Sequence, residues 1–180
     1  MSEYDLVGIG NAMVDVLAKV DDAFLEEQTL DKGAMTLVDI DRASEIYAKM
    51  PPAREVSGGS CGNTMAGFAS LGGKGVFIGK VRDDQLGDVF RRDMQSIGVD
   101  FFTPSTTEGP QTGSCIVLIT PDAQRTMCTN LGAASNLTPK DIDKDIIQAA
   151  KVVYMEGYLF DPPDAQDAFV EAADLAHDAG

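Results

Sequence analysis

The chain has 180 residues, 44% hydrophobic and 24% charged, with a formal net charge of −15. That length holds one domain with a real core, and the balance is that of a globular protein. The charge argues against a nucleic-acid surface, which needs clustered Lys and Arg, and no run approaches the roughly 20 apolar residues of a membrane span.

Cys61, Cys115 and Cys128 are odd in number and widely spaced. They read as reduced thiols of a cytosolic protein, without the paired spacing of a disulfide framework or a zinc site. The start, Met1 to Asp5, is acidic and has no signal-peptide pattern. The single histidine, His177, falls on an Ala-rich amphipathic stretch among acidic neighbours. His-dependent nucleophilic catalysis and His-based metal sites would all have to use it, so those mechanisms recede.

In chain order, Asp5 to Gly10 reads as a short buried strand ending on glycine. Residues 14–20 alternate with period two, which predicts a second strand with one apolar face. A short helix over 22–28 and a strand over 34–38 follow. A helix over 41–50 places Ala43, Ile46, Tyr47 and Met50 on one face and stops at Pro51-Pro52. Residues 54–57 are extended. Ser57 to Thr64 then carries three glycines and opens a helix of small apolar residues ending at Gly72-Gly73. A glycine turn opening a helix points free N–H groups outward, and Asn63 adds a donor and an acceptor one turn in. This is the composition of a pocket for a polyhydroxylated or anionic ligand. A tight strand-to-helix loop is the competing reading.

Downstream, 75–81 is a strand, and Leu86, Val89, Phe90, Met94 and Ile97 mark an amphipathic helix closed by Gly98. Segment 113–129 reads as a hairpin turned at Pro121-Asp122-Ala123. Thr138 to Asp141 has capping-box spacing, predicting a helix to Ala150. A strand over 152–155 and a final helix from Asp161-Pro162 complete the chain. Alternating strands and helices imply a largely parallel α/β sheet, with 14–20 and 113–129 as antiparallel additions forming a flap. Lys80 and Arg82 read as solvated ends of a strand.

Two phosphate motifs fail. Gly8-Ile9-Gly10 starts a dinucleotide fingerprint, but Met13 stands where the third glycine belongs, and the next residues alternate like a strand. Around Gly73-Lys74, a Walker loop lacks its first glycine and its Ser or Thr.

Gly58-Gly59 with Asn63, opening a small-residue helix, resembles the N-terminal signature of the ribokinase (PfkB) family of carbohydrate kinases. Gly10 to Asp15, Asp31 to Asp39, Arg125 to Met127 with Leu131 to Ala133, and Tyr154 to Tyr158 are similar to its adenosine kinase-like branch. The match runs in order through the chain.

The resemblance implies a ribokinase-like αβα sandwich with a mainly parallel sheet, and a small β lid from strands near 14–20, 34–38, 54–57 and 113–129. Residues 1–180 would then be the N-terminal part of one domain. It implies transfer of phosphate from ATP, with Mg²⁺, to the hydroxymethyl group of a sugar or nucleoside, in a cytoplasmic monomer or homodimer. On this sequence Asp15 would accept hydrogen bonds from ribose hydroxyls, with Asn11 nearby. Gly58 and Gly59 would admit the sugar and Asn63 would bind it, while Glu156 matches an acid that faces the sugar in some members. Arg125 would reach the transferred phosphate. Met13, Met35, Met127 and Tyr158 would line a purine cavity, with a purely structural core role as the alternative. The family's general-base Asp belongs to a Gly-x-Gly-Asp segment that these residues lack, so the ATP and Mg²⁺ sites are expected beyond them and the isolated chain is expected to be inactive. A nicotinamide-dependent oxidoreductase using Gly8 and Gly10, or a non-catalytic ligand-binding module, are the alternatives.

Overall fold

The computed structural model describes residues 3–180, so residues 1 and 2 of the expected domain lie outside it. Two sheets organise the fold. The first has the order β6-β5-β1-β9 and is parallel throughout: β1 (Tyr4–Ile9), β5 (Gly75–Ile78), β6 (Val99–Asp100) and β9 (Ala150–Met155). Strand alternation sends Val7, Ile9, Val76 and Ile78 to one face, where they pack on α5 (Lys144–Gln148) and α6 (Pro163–Ala179). Phe77 and Leu6 point to the other face, against α3 (Ser60–Ser70) and α4 (Gln85–Ser96). The result is a three-layer αβα sandwich. Phe77, Phe90 and Phe101 form its aromatic centre, with ring centroids 5.2–5.9 Å apart.

Glycine lets α3 approach β1 closely. A Cβ at Gly8 would lie 2.7 Å from the Met65 sulfur, and one at Gly10 would strike Cys61. These two glycines therefore serve helix–strand packing. Beyond them the chain passes through Asn11 and Ala12 directly into β2 (Met13–Lys19), with no intervening helix. A dinucleotide fingerprint needs a helix N-terminus at that point, so the oxidoreductase reading has no structural support.

The second sheet has the order β3-β8-β7-β2-β4, adding β3 (Met35–Leu37), β4 (Arg54–Gly58), β7 (Gly113–Ile119) and β8 (Arg125–Asn130). One correction concerns direction. β2 is antiparallel to β4 but parallel to β7, whereas the sequence suggested purely antiparallel additions. The two strands lie about a hundred residues apart in the chain, so no hairpin fixes their relative direction. β7 and β8 do form an antiparallel hairpin, turned at Ala123 with φ 64°.

One face of this sheet is sealed. Val16, Ala18, Ile116, Leu118 and Cys128 pack with Leu25 of α1 (Asp22–Glu27) and with Ala43 and Ile46 of α2 (Ile40–Lys49). Among the described residues the opposite face carries no helix of its own.

Two further expectations change. The capping box of Thr138 and Asp141 is present, but it starts a single 3-10 turn over 139–141, and α5 begins only at Lys144. Lys80 is not a solvated strand end. Its ammonium pairs with Asp141, with side-chain exposures of only 16% and 7%. The partner lies 61 residues downstream, so local spacing carries no trace of it. Arg82 donates to the Gly109 carbonyl at 2.7 Å. Among the described residues no helix is long and apolar enough to cross a membrane.

Candidate functional site

Register places most of the singled-out residues on the open face of the second sheet. Met13 stands opposite both Gly58 and Gly113, and Asp15 opposite Val56 and Cys115. Cys115 pairs with Thr129, Val117 with Met127, and Met127 in turn with Met35. Directly paired residues share a face. Met13, Asp15, Gly58, Met35, Met127 and Arg125 therefore look out on the same side, together with Leu17, Leu37, Cys115, Val117 and Thr129.

Asp15 is half-buried on this face. Burial raises its carboxyl above the usual range, opposed only by the charge of Arg125. No hydrogen bond from the described residues supports it. A carboxylate drawn from water without a donor is costly, and its free oxygens are the natural partners of two hydroxyls. Arg125 itself is exposed, and its register partner Ile119 lies four residues along β7 from Cys115, a rise of about 13 Å.

The second element is the turn into α3. Gly59, at φ 81°, is the residue before the helix, and a Cβ there would fall 2.8 Å from the Asn11 carbonyl oxygen. A Cβ at Gly58 would overlap the Asp15 carboxyl group. Only glycine satisfies the first backbone conformation, and only glycine leaves room at the second. Asn63 follows one turn later, exposed, its backbone N–H donating to the Gly59 carbonyl at 2.9 Å.

Asn11 and Glu156 lie beneath this turn. Asn11 is buried, and its side-chain oxygen has no hydrogen-bond partner. Glu156 is buried just beyond β9, its N–H donating to the Ile9 carbonyl at 2.9 Å. Burial pushes its carboxyl up, against hydrogen bonds from the Tyr158 N–H and the Ser60 hydroxyl. Cys61 lies against it, its thiol pushed up to about 12 by burial and by that acid. Such a thiol is no nucleophile at neutral pH.

The apolar residues divide. Met13 is buried and Met127 half-buried, but Met35 is 55% exposed and Tyr158 74% exposed. Tyr158, on the turn over 157–159, is not packed into a cavity wall among the described residues. Among the described residues no three His, Cys, Asp or Glu side chains converge on one point. The face thus combines one carboxylate, Asp15, with mainly apolar neighbours.

The pfkB family carbohydrate kinase profile matches residues 7–180. The chain belongs to this family. It is 50% identical to the adenosine kinase of Sinorhizobium meliloti, whose structure superposes with a TM-score of 0.90 over 99% of this chain and 55% of that one. Adenosine kinase of Saccharomyces cerevisiae is 33% identical over 172 residues, 89% of this chain and 50% of the relative. Guanosine-inosine kinase of Escherichia coli K12 is 28% identical over 162 residues, covering 86% of this chain and 37% of the relative. The chain thus spans half or less of the length of these curated relatives. Within the pfkB fold, the mainly parallel α/β sheet and its three layers are those of the structures it matches.

Sequence reasoning missed Cys115 and Thr129, whose hydroxyl lies 3.3 Å from the Cys115 sulfur. It also missed Leu17, Leu37 and Val117. Period-two alternation marks each as facing one side of its own strand. Only the cross-strand register tells which side that is.

Proposed function

We propose that the intact protein transfers the γ-phosphate of ATP to the hydroxymethyl group of a nucleoside or related sugar, and that residues 1–180 hold the acceptor. The observation that carries this reading is Asp15: a half-buried carboxylate without a hydrogen-bond donor among the described residues, packed directly on Gly58 at the turn into α3. A vicinal diol fits that arrangement, because each hydroxyl donates to one carboxylate oxygen. Asn63, exposed one turn into α3, adds a further donor and acceptor, with the buried Asn11 beneath the turn as a further candidate contact.

The base preference follows from the same face. The exposed Met35 and Leu37 and the half-buried Met127 offer apolar surface to a flat ring, and the named relatives include kinases of adenosine and of guanosine and inosine. The second sheet acts as a lid over the acceptor. Arg125, on the lid face, is assigned to the phosphate charge that develops during transfer. ATP supplies the phosphoryl group and Mg²⁺ its charge neutralisation. Both belong, in this reading, to segments outside residues 1–180. The three cysteines, all buried and free, suit a cytosolic protein.

The test is calorimetric titration of the intact protein with adenosine, guanosine, inosine, ribose, fructose and NADH, followed by ATP-dependent phosphorylation assays. Binding of a nucleoside with ATP-dependent product supports the proposal. Saturable nucleoside binding without turnover would make the protein a binding module, and a response to NADH alone would overturn the reading.

A further inference from the structure

The β4 strand is the outer edge of the second sheet, and it runs straight into Gly58 and Gly59. Two successive glycines have the greatest backbone freedom of any pair, so this turn needs fixing from outside itself. Helix α4 supplies the fixing. The Ser57 N–H, in the residue immediately before Gly58, donates to the Asp93 carboxylate at 2.9 Å. A second tie lies about two turns earlier on α4, where the Gln85 amide donates to Glu55 at 3.3 Å. α4 is itself immobilised on the first sheet by Phe90 and Met94, both buried against Phe77.

We propose that Asp93 is a positioning residue for acceptor binding: its carboxylate holds the Ser57 amide, and through it sets Gly58 and Gly59 against Asp15 and Asn11. The inference rests on the assignment of this face to the acceptor. The Asp93 carboxylate bonds to the backbone behind the turn, through the Ser57 N–H. Its side chain is only 25% exposed, so water is a poor substitute for the acceptor it provides. The other close charge is Arg92, 3.4 Å away and largely in solvent, which leaves the second oxygen to the Ser57 amide. A charged acceptor binds an amide roughly twice as strongly as a neutral one, which suits a tie at a strand edge that has no neighbouring strand. The consequence at the site is geometric. Gly58 packs directly on the Asp15 carboxyl group, so loosening Ser57 loosens a wall against which Asp15 is held.

The experiment uses the intact protein and adenosine as the probe, with calorimetric affinity and amide hydrogen exchange over 54–64 measured on each variant. Asp93→Ala is expected to weaken adenosine binding about tenfold, in line with loss of a charge-assisted hydrogen bond, and to accelerate exchange at 57–63. Asp93→Asn keeps an acceptor at the same place and is expected to stay within about threefold of wild type. Should Asp93→Ala not fold, Asp93→Glu carries the test, because it retains charge but displaces the acceptor by one methylene; weakened binding with faster exchange is again expected. A variant that loses thermal stability yet binds adenosine as wild type does would overturn the inference and leave the site assignment standing. Failure of the wild-type protein to bind adenosine, guanosine or ribose would overturn the assignment and the inference with it.

Discussion

The Asp15 carboxylate occupies the space that a side chain at Gly58 would need. Each residue thus constrains the other across the β2–β4 pair, although register places Met13, two residues before Asp15, opposite Gly58. Gly58→Ala forces the methyl into the carboxyl group, and one of them must move. Overpacking of this kind costs about 1–3 kcal/mol. We expect a matching fall in thermal stability, with nucleoside affinity falling at least as far because Asp15 is the group displaced. Calorimetry with adenosine checks this, and an unchanged affinity would separate Asp15 from the ligand.

Asp15 also sets a pH dependence. Burial holds its carboxyl above the ordinary value of 3.8, so the folded protein retains this proton at pH values where the unfolded chain has lost it. Stability from this group is present below the unfolded value and is lost as pH rises through the raised one. Asp15→Asn removes the penalty. It is therefore expected to melt higher than wild type at pH 7, with the gain shrinking toward pH 4. Nucleoside binding runs the opposite way, since hydroxyl donors favour the ionised form. Affinity should rise with pH across the acidic range in wild type and lose that slope in Asp15→Asn. Melting and titration series at several pH values measure both slopes.

Substitution of Asn63 tests whether the turn into α3 serves the acceptor or the phosphate donor. Its side chain is exposed one turn into α3, beside Gly59 and away from the core. Asn63→Ala is expected to leave stability unchanged within about 0.5 kcal/mol, as exposed substitutions do. It should raise the KM for the nucleoside about tenfold with little effect on that for ATP, since a lost ligand hydrogen bond is worth about 1.5 kcal/mol. Equal losses for both substrates would return this turn to a phosphate-binding role.

Much of this arrangement was written locally. Alternating apolar residues at 14–20 and the glycines before α3 appear in one short stretch each, because strand faces and positive φ are local properties. The polar linkage of Lys80 to Asp141 was not, and neither was the neighbourhood of Cys115 and Asp15, which sit a hundred residues apart. Register decides such pairs, and register depends on how the whole second sheet closes. Tyr158 shows the converse: its aromatic ring suggested a cavity wall, while the 3-10 turn over 157–159 presents it to solvent.

Lys80 and Asp141 give a stability prediction independent of the acceptor. Both groups are largely withdrawn from water, and the same Asp141 carboxylate accepts the Thr138 N–H at 3.0 Å. Removing one partner leaves the other charge buried without compensation, which costs about 3–5 kcal/mol. Asp141→Ala also dissolves the capping interaction, adding about 1 kcal/mol. Lys80→Met, which keeps the aliphatic stem but not the charge, should cost less than Asp141→Ala, because the Thr138 bonds survive. A double substitution, Lys80→Met with Asp141→Asn, removes both charges and should recover part of the loss. Urea denaturation of wild type, Lys80→Met, Asp141→Ala, Asp141→Asn and the double variant measures these differences. Additive losses in the double variant would mean that the two groups are stabilised separately, and that the ion pair contributes nothing of its own to the fold.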